Sequence, residues 1–167
     1  MTGQFHLRRA IAADLEAILT LERATDLAPH WPPSAYTDIL DSTLPQRCLF
    51  VVEKNGSLAG FAVGLLHPAP HNPAISDARQ RIAELESVVV SASARRAGIG
   101  RALCRAVFDW TRSQGATEVI LEVRAASSAA VALYSGLGFT LAARRPRYYR
   151  DPNDDALLMR LQLEGTA

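Results

Sequence analysis

Val88-Val89-Val90-Ser91-Ala92-Ser93-Ala94-Arg95-Arg96-Ala97-Gly98-Ile99-Gly100-Arg101 runs from three β-branched residues into a glycine-bearing turn that can open a helix. The valines suit a central strand buried on both faces. A strand, turn and helix in this order aim backbone N–H groups and the positive end of a helix dipole at one point, and the glycines let a phosphate come close. Arg95, Arg96 and Arg101 supply charge-assisted donors. The chemistry this serves is the grip of a pyrophosphate, with a glycine-capped, arginine-rich turn as the plain alternative. Two common phosphate loops are excluded. Gly100 is followed by Arg101-Ala102 rather than Lys-Ser/Thr, and the small third residue of a dinucleotide fingerprint is replaced by Leu103. Gly136-Leu137-Gly138 fails in the same way at Leu141.

Glu122 stands inside Val119-Ile120-Leu121-Glu122-Val123, a carboxylate in an apolar strand. Left unpaired there, it would be pushed towards its neutral form, which suits a general base; an ion pair with Arg124 on the same strand face is the alternative. Tyr134, followed by Leu137, Gly138 and Phe139, reads either as a core aromatic or as a phenol able to protonate a departing thiolate. Glu84 and Glu86 share a face of the strand that carries Val88 and Val90, and are either rival bases or charges at a solvated strand start.

The chain that must hold these residues has 167 residues and a net charge of +1, which predicts one soluble domain, 1–167, without the global basic field of a nucleic-acid binder. Lys54 is the only lysine, so Schiff-base and phosphate-loop lysine chemistries have little to work with. Cys48 and Cys104 lack zinc or redox spacing and read as apolar core residues of a reduced protein. His6, His30, His67 and His71 lack metal-ligand spacing, so no metal is expected. There is no leader-like apolar run at the N-terminus and no stretch long enough to span a bilayer, so the expected location is the cytoplasm, with no membrane partner.

The hydrophobic period alternates between two and 3.6, as in a mixed α/β chain. It predicts a strand over Phe5–Arg9 and a helix over 12–24, with Leu15, Ile18, Leu19 and Glu22 at helical spacing. A second helix is expected to start at Ser34 as N-cap, behind Pro32 and Pro33. Strands Arg47–Glu53 and Leu58–Leu66 flank Asn55-Gly56, a hairpin turn. Prolines at 68, 70 and 73 mark an irregular loop over 67–80, read as a flap on the substrate side. A strand over Ile82–Ser91 and an amphipathic helix over 98–114, ended by Gly115, come next. Then follow a strand over Glu118–Arg124, a helix over about Ser127–Ser135, and strands Gly138–Arg145 and Ala156–Leu163 joined by an Arg/Tyr/Asp/Pro/Asn stretch.

Arg95-Arg96-Ala97-Gly98-Ile99-Gly100 matches Arg/Gln-x-x-Gly-x-Gly/Ala, the acetyl-CoA pyrophosphate motif of the Gcn5-related N-acetyltransferase (GNAT) superfamily. From Glu84 to Leu161 the chain resembles the bacterial ribosomal-protein-alanine N-acetyltransferases (RimI family). Besides that motif, the resemblance rests on Leu121-Glu122-Val123-Arg124-Ala125, Ala130-Val131-Ala132-Leu133-Tyr134 with Leu137-Gly138-Phe139, Arg145-Pro146-Arg147-Tyr148-Tyr149, and Asp155-Ala156-Leu157-Leu158-Met159. The first eighty residues match more loosely, through Trp31 and the hairpin.

The resemblance implies an α/β (α+β) GNAT fold, a central mixed, mostly antiparallel sheet flanked by helices. It implies acetyl-CoA as co-substrate, the backbone of Val88, Val89 and Val90 on the pantetheine, Arg95, Arg96, Ala97, Gly98, Ile99, Gly100 and Arg101 at the pyrophosphate, Glu122 as base and Tyr134 as acid. Other branches of the superfamily place their glutamate on the strand of Glu84 and Glu86. Ser127 stands where the family usually has an asparagine on the pantetheine, and serves either as a shorter contact or as a helix N-cap. Arg144–Arg150 corresponds to the peptide-substrate side, with a solvated hairpin and an RNA patch as other readings. The implied reaction is direct acetyl transfer in a ternary complex to the N-terminal alanine of a small-subunit ribosomal protein. Another protein N-terminus, a lysine, a small-molecule amine, or a non-catalytic acetyl-CoA-binding module are the alternatives.

Overall fold

In the computed structural model, the structure describes residues 4–41, 46–68 and 81–164. The elements in chain order are β1 (His6–Arg9), a 3-10 turn (Ala12–Asp14), α1 (Leu15–Arg23), α2 (Pro33–Asp41), β2 (Arg47–Lys54), β3 (Ser57–Leu66), β4 (Arg81–Val90), a second 3-10 turn (Ala92–Ala94), α3 (Ile99–Ser113), β5 (Ala116–Arg124), α4 (Ser128–Gly136), β6 (Thr140–Tyr149) and β7 (Asp154–Gln162). The strands form one mixed seven-stranded sheet in the order β1-β2-β3-β4-β5-β7-β6, flanked by helices. β4 and β5 run parallel, whereas β1–β2, β2–β3, β5–β7 and β6–β7 are antiparallel. No helix among the described residues is long and apolar enough to cross a membrane.

The chain divides into two compact units, one of residues 1–65 with 85–110, the other of residues 66–84 with 111–167. In the first, Asn55 (φ 53°) and Gly56 (φ 78°) both take the left-handed conformation that a two-residue hairpin requires, and β2 and β3 follow from it. Their inward side chains build a core with α1, α2 and β4, formed by Ile18, Tyr36, Leu49, Val51, Phe61, Val63 and Val89. The α3 stripe of Ile99, Leu103 and Val107 is buried as its spacing predicts. It lies hard against β3 because β3 has glycine there: a Cβ on Gly60 would stand 2.8 Å from the Val89 carbonyl oxygen and 3.2 Å from Ile99 and Leu103 side-chain atoms.

In the second unit, β5 alternates from Glu118 onward. Val119, Leu121 and Val123 are buried, while Glu118, Ile120, Glu122 and Arg124 point to the other, half-buried face. β7 pairs along β5 from Glu118↔Gln162 to Arg124↔Ala156, and β6 closes the edge beyond it. β6 is exposed along almost its whole length, and its register is interrupted between Arg145 and Tyr149, where Pro146 and a left-handed Arg147 (φ 51°) sit. A proline and an irregularity are devices that keep an edge strand from recruiting another strand.

Several expectations are corrected. The helix over 12–24 is a 3-10 turn followed by α1. α2 starts at Pro33, not behind it, with Ser34 inside the helix; proline's fixed φ and missing donor suit the first helical position, where no intrahelical acceptor is available. Val88–Val90 are not buried on both faces: Val89 is buried, whereas Val88 and Val90 are half-buried on the face of Glu84 and Glu86. The Arg/Tyr stretch is mostly strand, because β6 runs to Tyr149 and β7 begins at Asp154. Of the proline-bearing loop over 67–80, only His67, Pro68 are described; the flap reading lies otherwise outside the described residues.

Gly60→Ala should lower the urea-unfolding midpoint with little change in slope, at a cost of about 1–3 kcal/mol, since the added methyl meets backbone on β4 and the α3 side chains at once.

Candidate active site

In the first unit, β4 delivers the chain to the arginine-glycine turn. Ser91 N–H donates to the Ala59 carbonyl at 2.8 Å, tying the end of β4 to β3, and Ala94 N–H donates to Ser91 O at 3.0 Å to close the 3-10 turn. Arg95 is extended, Arg96 turns left-handed (φ 62°), and Gly98 does so again (φ 79°) before α3 begins. A Cβ on Gly98 would meet nothing within 4 Å, so the glycine is there for its backbone angle and faces open space. The α3 ladder begins with Ala102 N–H on Gly98 O at 3.0 Å, leaving the N–H groups of Ile99, Gly100 and Arg101 outside it. Ile99 is buried and pins the turn, while Arg95, Arg96, Gly98 and Arg101 are exposed. The result is an anchored turn with open amide groups and guanidinium groups around it, a fit to a pyrophosphate.

The same unit contains a cavity of about 580 Å³ lined by Trp31, Asp38, Ile39, Arg47 and Glu86 among others. Glu86 is held by Arg47 through two contacts, Nε to Oε2 at 2.8 Å and Nη2 to Oε1 at 3.1 Å. Behind the cavity wall, Tyr36 donates to the buried Glu22 carboxylate, with the Trp31 ring 5.5 Å from the Tyr36 ring. This cavity is not visible in the sequence, because it needs α2 and β2 brought to one place.

In the second unit, Glu122 is not paired with Arg124: its Oε1 meets Arg145 Nη1 of β6 at 3.2 Å. Arg124 is engaged elsewhere, donating to Pro152 O at 2.9 Å and lying over the Tyr149 ring at 4.3 Å. Arg145 also lies over Tyr148, at 5.5 Å, and Tyr148 and Tyr149 meet edge to face at 5.1 Å. Burial pushes the Tyr149 phenol above its ordinary value, with the Glu122 charge adding to the effect. Asp155 fastens the far end of β6, accepting from Arg147 N–H at 3.0 Å and Arg144 Nε at 2.7 Å; these donors hold its carboxyl below the usual carboxylate range.

Glu84, 30% exposed, has its Oε2 3.0 Å from His67 Nε2. Tyr134 is buried on α4, its ring 5.8 Å from Phe139 in an edge-to-face contact. Ser127 occupies the N-cap position of α4 without a side-chain cap bond; its carbonyl accepts from Val131 N–H at 3.0 Å. β4 pairs with β5 over Arg81–Glu84 against Ala116–Ile120, and the parallel ladder stops there.

The first unit presents a strand and an arginine-glycine turn opening a helix, and residues 15–139 of the chain match the model of the acetyltransferase (GNAT) family. The chain belongs to that family and is an N-acetyltransferase. Among its relatives, the [ribosomal protein bS18]-alanine N-acetyltransferase of Escherichia coli K12 is 32% identical over 153 residues, covering 90% of this chain and 92% of that one. The N-alpha-acetyltransferase RimI of Mycobacterium tuberculosis is 33% identical over 134 residues, covering 78% and 74%. A crystal structure of the ribosomal-protein-S18-alanine N-acetyltransferase from Escherichia coli superposes with a TM-score of 0.78 at 27% identity, covering 98% of this chain and 97% of that chain.

Cys48 and Cys104 are buried and unbridged, and burial pushes both thiols up to about 12. Neither should react with a disulfide reagent such as DTNB at pH 8 in the native protein, and both should do so after unfolding, which a timed absorbance measurement checks.

Proposed function

We infer that the chain transfers acetyl from acetyl-CoA to a protein N-terminus, in the first instance the N-terminal alanine of a small-subunit ribosomal protein, by direct attack in a ternary complex. The observation that carries this reading is the 32% identity to the bS18-alanine enzyme over 90% of the chain. The family match runs from 15 to 139, through segments of both compact units, which supports reading 1–167 as one domain.

Acetyl-CoA supplies an activated acetyl thioester. The chain's part begins with Val88, Val89 and Val90, whose strand continues beyond the last β4–β5 rung, so its backbone there is available to hydrogen-bond an extended pantetheine. Arg95–Arg101 grip the pyrophosphate through the open amides of the turn and through the guanidinium groups. Ser127, shorter than an asparagine, contributes a hydroxyl near the start of α4. An α-amine with a reference pKa of about 8 arrives mostly protonated at neutral pH. Glu122 takes that proton, directly or through a water, and the free amine attacks the thioester carbonyl. A backbone N–H near Val90 donates to the carbonyl oxygen as it gains charge, and Tyr134 returns a proton to the thiolate that leaves. As the tetrahedral intermediate collapses the nitrogen loses its second proton, which restores the Tyr134 phenol, and the proton held by Glu122 passes to solvent; a protonated amine and acetyl-CoA thus give the amide, the CoA thiol and one released proton, and no acetylated side chain is needed. The buried, high-pKa cysteines agree with that route. The location proposed for this enzyme is the cytoplasm.

Thiol release from acetyl-CoA should be seen with a peptide bearing the ribosomal protein's free N-terminal alanine, and be lost when the same peptide is blocked at its amine. Turnover with a lysine peptide or a polyamine, and none with the free alanine terminus, would move the acceptor to another amine. Acetyl-CoA binding without turnover on any acceptor would leave a binding module.

A further inference from the structure

Among the described residues, Glu122 has one cation on it, and that cation is not the one its own strand offers. Arg124, two residues along on the same face, is committed to Pro152 O and the Tyr149 ring. Opposite Glu122 on β7 stands Leu158, which brings no charge. Arg160 of β7 is turned to Glu118 at 3.9 Å, and Arg144 of β6 to Asp155. On β4, Glu84 of the same sheet face is met by His67. Arg145 therefore supplies the guanidinium at Glu122, and it does so from an exposed edge strand. Its side chain is 53% exposed, against 26% for Glu122, so it can leave without opening the core. It also has somewhere to stay, because its guanidinium already lies over the Tyr148 ring.

We propose that Arg145 is a specificity-determining residue that occupies Glu122 in place of the acceptor's ammonium and yields to it, remaining on Tyr148 when a charged amine arrives. This rests on the reading of Glu122 as the group that receives the amine. The consequence is a screen at Glu122: only an acceptor that arrives as a cation displaces Arg145, and it binds against that competition. A protonated α-amine replaces one ion pair at Glu122 with another, whereas a neutral or blocked terminus must leave Arg145 where it is. An exposed pair of this kind contributes little, so removing the competitor should tighten binding of a charged amine by at most about fivefold.

The test uses the full chain and the smallest α-amine probes, alaninamide and N-acetylalaninamide, followed by side-chain NMR of the arginine Nε–H groups, with Arg145 assigned from Arg145→Lys. In the wild type, alaninamide should shift the Arg145 signal and N-acetylalaninamide should not. In Glu122→Gln the signal should start displaced and ignore both. Arg145→Gln should bind alaninamide more tightly by up to about fivefold with no change for the blocked probe, and Arg145→Lys should stay near wild type. An Arg145 signal unmoved by alaninamide, or equal or weaker alaninamide binding in Arg145→Gln, overturns the proposal; if the Gln variant does not fold, the wild-type arm decides alone. None of these readouts needs turnover, so failure of Glu122 as a catalytic base would show separately, as unchanged acetyl transfer in Glu122→Gln.

Discussion

A carboxylate half-buried on the face of a β-sheet needs a cation or donors within reach, because a charge drawn out of water and left alone is disfavoured. In this chain the requirement falls on Glu122, and Arg145 meets it from two strands away, across β7. The strand order of the second unit makes that pairing possible. β6 lies against β7 in a register that carries Arg145 to the level of Ala156, the residue that also faces Arg124. Two donors of β6 on Asp155 tie that edge strand to β7 beside the register break, and the edge-to-face tyrosines give both arginines a second surface.

The first unit answers a different demand, that of placing backbone donors rather than a side chain. Its glycines do this by what they lack. Gly60 allows α3 to lie directly on β3, which sets where Ile99 and the start of the helix can be, and Gly98 then turns the chain with its face to open space. The arginines around the turn add charge locally while the chain as a whole stays near neutral, at a net +1.

Local chemistry was legible in the residues. Asn55-Gly56 marks its hairpin, the Ile99-Leu103-Val107 stripe its helix, and the arginine-glycine turn its position between β4 and α3, because each depends on neighbours within a few residues. Glu122 could be singled out as a charge in an apolar strand, but its partner could not, since Arg145 lies 23 positions away by sequence number and reaches it only through the order β5-β7-β6. The nearer Arg124 was the natural guess from spacing and is the wrong one. The cavity at Trp31, Asp38 and Arg47 was hidden for the same reason. Ser34 misled because serine and proline both mark helix starts, and here the proline takes the first helical position.

The central claim is that Glu122 receives the amine's proton, and the pH dependence of turnover for wild type and Glu122→Gln, with a free alanine-terminated peptide and saturating acetyl-CoA, tests it most directly. Below the amine's pKa of about 8 the acceptor is protonated and needs a base; above it the free amine is already present. The account predicts that the variant is slower by about a hundredfold or more at pH 6.5–7, as expected for loss of general-base catalysis, and that the gap narrows as pH rises past about 8. A gap of constant size across the range, or none at all, would contradict it and pass the role of base to Glu84 or Glu86.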